Sequence, residues 1–170
     1  DTGMGARKVK LAGHTMATPE FDVFEALRFF KKLGLDGAEI VVQTGYESGI
    51  PYEADDAFVR RVREEADALG IAVAATTPYL NRYNDLDEAV RQKEVAMLKR
   101  VIDMTRILGG GSIRIYGGAF QDEETDPDGA KLAQLVKSLR ECGDYAAQYG
   151  IRLSIENHFG TMTTTAHRTM

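Results

Sequence analysis

Leu69-Gly-Ile-Ala-Val-Ala-Ala-Thr76 closes one helical pattern and opens a β-rich run with no linker between them. Upstream, Phe58, Val62, Ala66 and Leu69 recur at helical spacing, so one face of a helix stays apolar up to the glycine. Gly70 suits the end of that helix, because the residue after the last turn commonly takes the left-handed conformation that a Cβ disfavours. Ile71 to Thr76 reads as a strand. The same order of helix, glycine and strand recurs at Gly34, Gly109 and Gly150, followed by Ala38 to Gln43, Ser112 to Tyr116 and Ile151 to Glu156. These glycines lie about 40 residues apart, the length of one strand, one loop and one helix. Val9 to Ala12 supplies a first strand, which makes about five.

Helix starts are expected where a side-chain oxygen can accept from an orphaned N–H. Thr18 before Pro19, Asp85 with Glu88 three residues on, and Asp126 before Pro127 fit that requirement. Phe21, Phe24, Leu27, Phe30 and Leu33 give another helix its buried face. Strands that alternate with helices are parallel and joined by right-handed crossovers. The first strand-to-helix turn, Gly13-His-Thr-Met-Ala-Thr18, carries neither a G-x-G-x-x-G nor a Walker sequence, which argues against an open dinucleotide- or phosphate-binding sheet. The expected fold is therefore α/β, a (β/α)8 TIM barrel present as a partial barrel of about five βα units with helices on one face. Residues 1–170 are read as one domain, with 1–7 an extension before the fold and 159–170 the start of a helix.

Composition narrows the function. Across 170 residues, 28% are charged with a net charge of −5 and no basic block, so the footprint of a nucleic-acid binder is missing. No apolar run approaches the roughly 20 residues that span a bilayer, and the N-terminus lacks a signal-peptide core, so a cytoplasmic protein without membrane partners is expected. Cys142 is the single cysteine and stands in a helical pattern, which reads as a small core residue.

In such a barrel the working groups project from the C-terminal strand ends and the loops after them. Those positions hold His14, Thr15, Gln43, Tyr46, Glu47, Tyr79, Asn81, Tyr116, Glu156, Asn157 and His158. Glu156 draws most weight, because a carboxylate ending the apolar run Leu153-Ser-Ile155 stands at the barrel mouth. A carboxylate with an imidazole two residues on suits Mg2+, Mn2+, Co2+ or Zn2+, although a polar strand end can also simply open a loop. Glu39 and Arg114 lie inside strand runs on even-numbered strands, which suggests an interior ion pair between them. His167 is given no role.

Ile151-Arg-Leu-Ser-Ile-Glu-Asn-His-Phe-Gly160 resembles the fifth-strand signature of the xylose-isomerase-like barrel superfamily, the sugar phosphate isomerases and epimerases. Leu33-Gly-Leu-Asp-Gly-Ala-Glu39, Thr77-Pro-Tyr-Leu-Asn81 and Leu108-Gly109 before Ser112-Ile-Arg-Ile-Tyr-Gly-Gly118 resemble its second-, third- and fourth-strand patterns, in that order. The resemblance implies that Glu156 binds a divalent metal (Mn2+, Mg2+, Co2+ or Zn2+) and moves a proton at the carbon next to a sugar carbonyl. His14, Tyr79, Asn81 and His158 are the expected contacts to a small sugar or sugar phosphate, although His14 also reads as a solvated loop histidine and His158 as a loop histidine bonded to backbone. The family's other ligands and second glutamate come from strands six to eight, so this chain alone is expected to be inactive, and its unpaired strand edges to self-associate. Two rivals are an endonuclease-IV-like DNA-repair nuclease and a non-catalytic sugar-binding barrel. The first expects histidines on early strands, where Val41-Val-Gln43 and Thr77-Pro-Tyr-Leu-Asn81 have none.

Overall fold

A computed structural model describes residues 9–121 and 123–169, so the expected extension at 1–7 lies outside the described residues. Five strands alternate with helices: β1 (Ala12–His14), β2 (Gly37–Val42), β3 (Ala72–Pro78), β4 (Ser112–Tyr116) and β5 (Arg152–Glu156). The helices are α1 (Val23–Lys32), α2 (Asp56–Leu69), α3 (Glu88–Leu108), α4 (Ala130–Ala147) and the short α5 (Ala166–Thr169), with a 3-10 turn at Thr15–Ala17.

All strand pairs are parallel and the order in the sheet is β1-β2-β3-β4-β5. An open doubly wound sheet reverses its strand order partway, whereas a consecutive order with crossovers of one hand lays every helix on the same face. The helices pack accordingly, α1 on α2, α2 on α3 and α3 on α4. This is a partial (β/α) barrel of five βα units. Strand alternation separates its two faces. On β4, Ile113 and Ile115 are buried in the core shared with the helices, while Ser112, Arg114 and Tyr116 face the other way and are half-buried.

The helix-end glycines perform as their sequence context requires. Gly70 and Gly109 cap α2 and α3 in the left-handed conformation at φ 65° and 74°, and their N–H groups satisfy carbonyls of the last turn. Helix starts differ from expectation. Thr18 turns its hydroxyl back to the Thr15 carbonyl, and α1 begins later, where Asp22 and Glu25 form a reciprocal capping box. Asp85 accepts from the Asp87 N–H, and it is Asp87 that caps α3. Asp126 does reach helix donors, the N–H groups of Lys131 and Leu132, but across a turn that delays α4 to Ala130. The first strand is also displaced, from Val9–Ala12 to Ala12–His14. Pairing with β2 starts only at Gly37 opposite Ala12, and Val9 and Leu11 stay exposed.

Candidate active site

The C-terminal ends of β1, β3, β4 and β5 bring His14, Tyr79, Tyr116 and Glu156 to one mouth. Register does part of this: Tyr116 pairs with Glu156 across β4 and β5, and Arg114 with Ser154. Alternation then places Arg114, Tyr116, Ser154 and Glu156 on the same face. Arg114 is the centre of the group. Its Nε lies 3.0 Å from Glu156 Oε2, and its guanidinium carbon is 4.7 Å from the Tyr79 ring centroid and 4.4 Å from that of Tyr116. The two rings meet edge to face at 5.8 Å, and Tyr116 lies 4.8 Å from the His158 ring.

The interior ion pair expected between Glu39 and Arg114 is therefore not formed; Arg114 pairs with Glu156 instead. The reason is distance across the sheet. β4 adjoins β5, whereas β3 stands between β4 and β2. Glu39 faces His14, its register partner on β1.

His14 is held in one tautomer. Its Nδ1 accepts the Met16 N–H at 3.0 Å, so the ring proton of the neutral form sits on Nε2, 3.3 Å from the Thr77 hydroxyl. Partial burial lowers its pKa below the usual histidine value, and the Arg114 charge acts in the same direction, against the opposing pull of Glu39 and Glu156. His14 thus lies within electrostatic reach of all three charged groups. His158 is bonded the other way: its Nδ1–H donates to the Phe159 carbonyl at 2.7 Å. Tyr79 receives support from below, where its N–H donates to Tyr52 Oη at 3.2 Å, and its own hydroxyl reaches Met16 Sδ. Asn81 stays apart from this group. Its carbonyl accepts the Ala119 N–H and it is exposed on the loop after β3.

The loops after β4 and β5 are tied together, which fixes the far side of the mouth. Ala119 and Thr161 form an antiparallel bridge, and Phe120 N–H bonds the Gly160 carbonyl. Gly117 permits the approach, since a Cβ there would lie 2.2 Å from Thr163 Oγ1.

Among the described residues, no three His, Cys, Asp or Glu side chains converge as metal ligands would. Glu156 is one carboxylate, with one oxygen engaged by a guanidinium, so these residues do not by themselves fit a divalent ion.

A family model described as xylose isomerase-like TIM barrel matches residues 27–170, well over half of the chain. The chain belongs to this family. No curated protein matches the sequence significantly. Among solved structures, this xylose isomerase-like barrel is similar to 3-keto-D-glucoside 4-epimerase from E. coli, with a TM-score of 0.73 and 20% identity over 95% of this chain and 62% of that one. It is also similar to a D-tagatose 3-epimerase-like protein, with a TM-score of 0.79 and 17% identity over 95% of this chain and 58% of that one. A third is a xylose isomerase-like TIM barrel protein from Mycobacterium smegmatis in complex with magnesium, with a TM-score of 0.72 and 18% identity over 94% and 58%. The chain thus spans about three fifths of the length of these structures. At such identities the likeness establishes the shared fold. No helix among the described residues is long and apolar enough to cross a membrane.

Arg114 is the site residue that sequence reasoning assigned elsewhere. Its signal was present, since alternation puts Arg114 on the same face as Tyr116, and the neighbouring strand ends in a carboxylate.

Proposed function

We propose that this barrel segment carries one side of a sugar isomerase or epimerase site in which Glu156 transfers a proton at the carbon next to the sugar carbonyl. The observation that carries the reading is the Glu156 carboxylate at the mouth, among aromatic rings and two imidazoles. Sugar-epimerase structures of the same fold support it. In the proposed step the C–H bond breaks, its proton passes to a Glu156 carboxylate oxygen, and the electron pair forms the C=C bond of an enediolate as charge moves to the carbonyl oxygen.

The flat faces of Tyr79 and Tyr116 suit the C–H face of a sugar ring or chain. The rings of His14 and His158 border the same mouth, where sugar hydroxyls would meet polar partners. Asn81 would contact the same sugar only if the exposed loop that carries it turns toward the mouth. The divalent metal of the resemblance finds a single carboxylate among the described residues. The 170-residue chain by itself then binds sugar weakly and turns none over.

Titrating the 15N-labelled chain with D-tagatose and D-fructose tests the location. Millimolar sugar is expected to shift the amide signals of His14, Tyr79, Tyr116 and His158. Shifts confined to the outer face of α4, or none at saturating sugar, would count against a site at this mouth.

A further inference from the structure

The rings of the mouth do not stop at the Glu156 carboxylate. Tyr79 meets Tyr116 at 5.8 Å between centroids, Tyr116 meets His158 at 4.8 Å, and His158 meets Phe159 at 4.1 Å with the two planes 32° apart. Register sets Glu156 beside Tyr116, so the row passes the carboxylate and runs two rings further, onto the loop after β5. Exposure rises along it. Tyr79, Tyr116 and His158 are half-buried, whereas Phe159, at 83%, is the most exposed large apolar side chain among the described residues. The loop that presents it is nonetheless pinned on both sides. The His158 carbonyl accepts the Thr161 hydroxyl at 2.7 Å, the Gly160 carbonyl accepts the Phe120 N–H at 2.9 Å, and the Phe159 carbonyl accepts the His158 ring N–H at 2.7 Å. A scattered surface phenylalanine is ordinary, but this one is fixed in place and continues a row that reaches the proposed site.

We propose that His158 and Phe159 form a second sugar subsite, so that the ligand of the mouth is a glycosylated ketose rather than a free monosaccharide. This rests on the reading of the mouth as a sugar isomerase or epimerase site, and it names the substrate class which that reading leaves open. The unit with the carbonyl lies over Tyr79 and Tyr116 beside Glu156, and the unit attached to it lies on Phe159. Sugar rings suit such a row, because each has a face of C–H groups that covers an aromatic ring while its hydroxyls point outward. A ring already held in place loses little freedom on binding, so the contact converts to affinity. A protein or membrane partner asks for a broad apolar patch; a single file of rings beside the Glu156 and Arg114 charges suits a polyhydroxylated chain.

The test titrates the 15N-labelled 170-residue chain with D-fructose, and with lactulose and palatinose, reducing disaccharides whose fructose unit can open to its carbonyl. D-fructose is expected to shift the amide signals of Tyr79, Tyr116 and His158 but not those of Phe159 and Gly160. At least one disaccharide is expected to shift both sets and to bind roughly 3- to 10-fold tighter, the worth of one stacked ring. Phe159→Ala should remove that gain and leave the Kd for D-fructose unchanged, and Phe159→Tyr should keep the gain. Should Phe159→Ala fail to fold, saturation transfer in wild type from the Phe159 ring protons to the second sugar unit decides, and its absence overturns the proposal. D-fructose shifts at the mouth with neither disaccharide binding tighter, or with a gain that survives Phe159→Ala, overturn the second subsite alone. Disaccharide shifts at Phe159 that leave Tyr79 and Tyr116 untouched overturn it too, since the row is then not one site. If no sugar shifts any signal of the mouth, the parent reading falls and the second subsite with it.

Discussion

Two side chains carry pH behaviour that can be checked residue by residue. Burial in the helical layer pushes the Cys142 thiol up to about 12, and its Sγ faces the Val95 carbonyl. Native protein should therefore resist a thiol reagent such as DTNB at neutral pH and react fully only when unfolded; rapid native labelling would contradict the buried placement. His14 works through linkage. Its folded pKa lies below the ordinary 6.5, so in the interval between the two values the unfolded state holds more protons. Stability from this group is complete above 6.5 and lost as pH falls through that interval. Replacing His14 by Gln should flatten the acid side of a melting-temperature profile between neutral and mildly acidic pH; an unchanged profile would show that the ring is solvated like any loop histidine.

The place of Glu156 at the end of β5 was legible in the sequence, because it closes the apolar run Leu153-Ser-Ile155. Arg114 was legible as an interior residue but not in its partner. Alternation reports which face a side chain takes, yet which strand lies beside it depends on the order of the sheet.

At the scale of the elements, helix ends were easier to read than helix starts. A glycine that must take positive φ has little competition, whereas several oxygen-bearing side chains crowd each start. At residues 18, 85 and 126 the side chain expected to cap directly instead shapes the preceding turn or caps across it. The glycine caps offer a graded test. Gly34 and Gly109 share φ 74°, but nothing lies within 4 Å of a Cβ built at Gly34, whereas one at Gly109 would meet the Arg63 guanidinium. That guanidinium donates to the Leu108 carbonyl at 2.6 Å, one of the orphan acceptors at the end of α3. Gly34→Ala should cost about 1–2 kcal/mol for the left-handed conformation alone. Gly109→Ala should cost about 1 kcal/mol more, the net worth of the hydrogen bond that Arg63 must give up. Equal losses in denaturant unfolding would mean that Arg63 contributes nothing to the cap.

For the molecule as a whole, the repeat of helix, glycine and strand was enough to reach a partial barrel, because each unit is locally complete and consecutive units have one natural way to stack. What no single unit encodes is the fate of the edges. Among the described residues β1 and β5 each pair on one side only. Leu132 and Val136 on α4 and Ile155 on β5 are exposed at 50%, 39% and 39%. Such apolar surface beside open strand edges favours association. Sedimentation of the 170-residue chain should show species larger than a monomer that grow with concentration; a monodisperse, cooperatively melting monomer would contradict this.

The central claim is that Glu156 moves a proton on a bound sugar, and isotope exchange addresses it most directly. In a version of the chain completed to eight βα units, wild type should exchange the α-proton of D-tagatose or D-fructose with deuterated solvent, and Glu156→Gln, while keeping its fold, should do so at least ~100-fold more slowly, the typical effect of losing a general base. If Glu156→Gln exchanges as fast as wild type, Glu156 is only a strand-end carboxylate paired with Arg114, and the barrel binds sugar without acting through this residue.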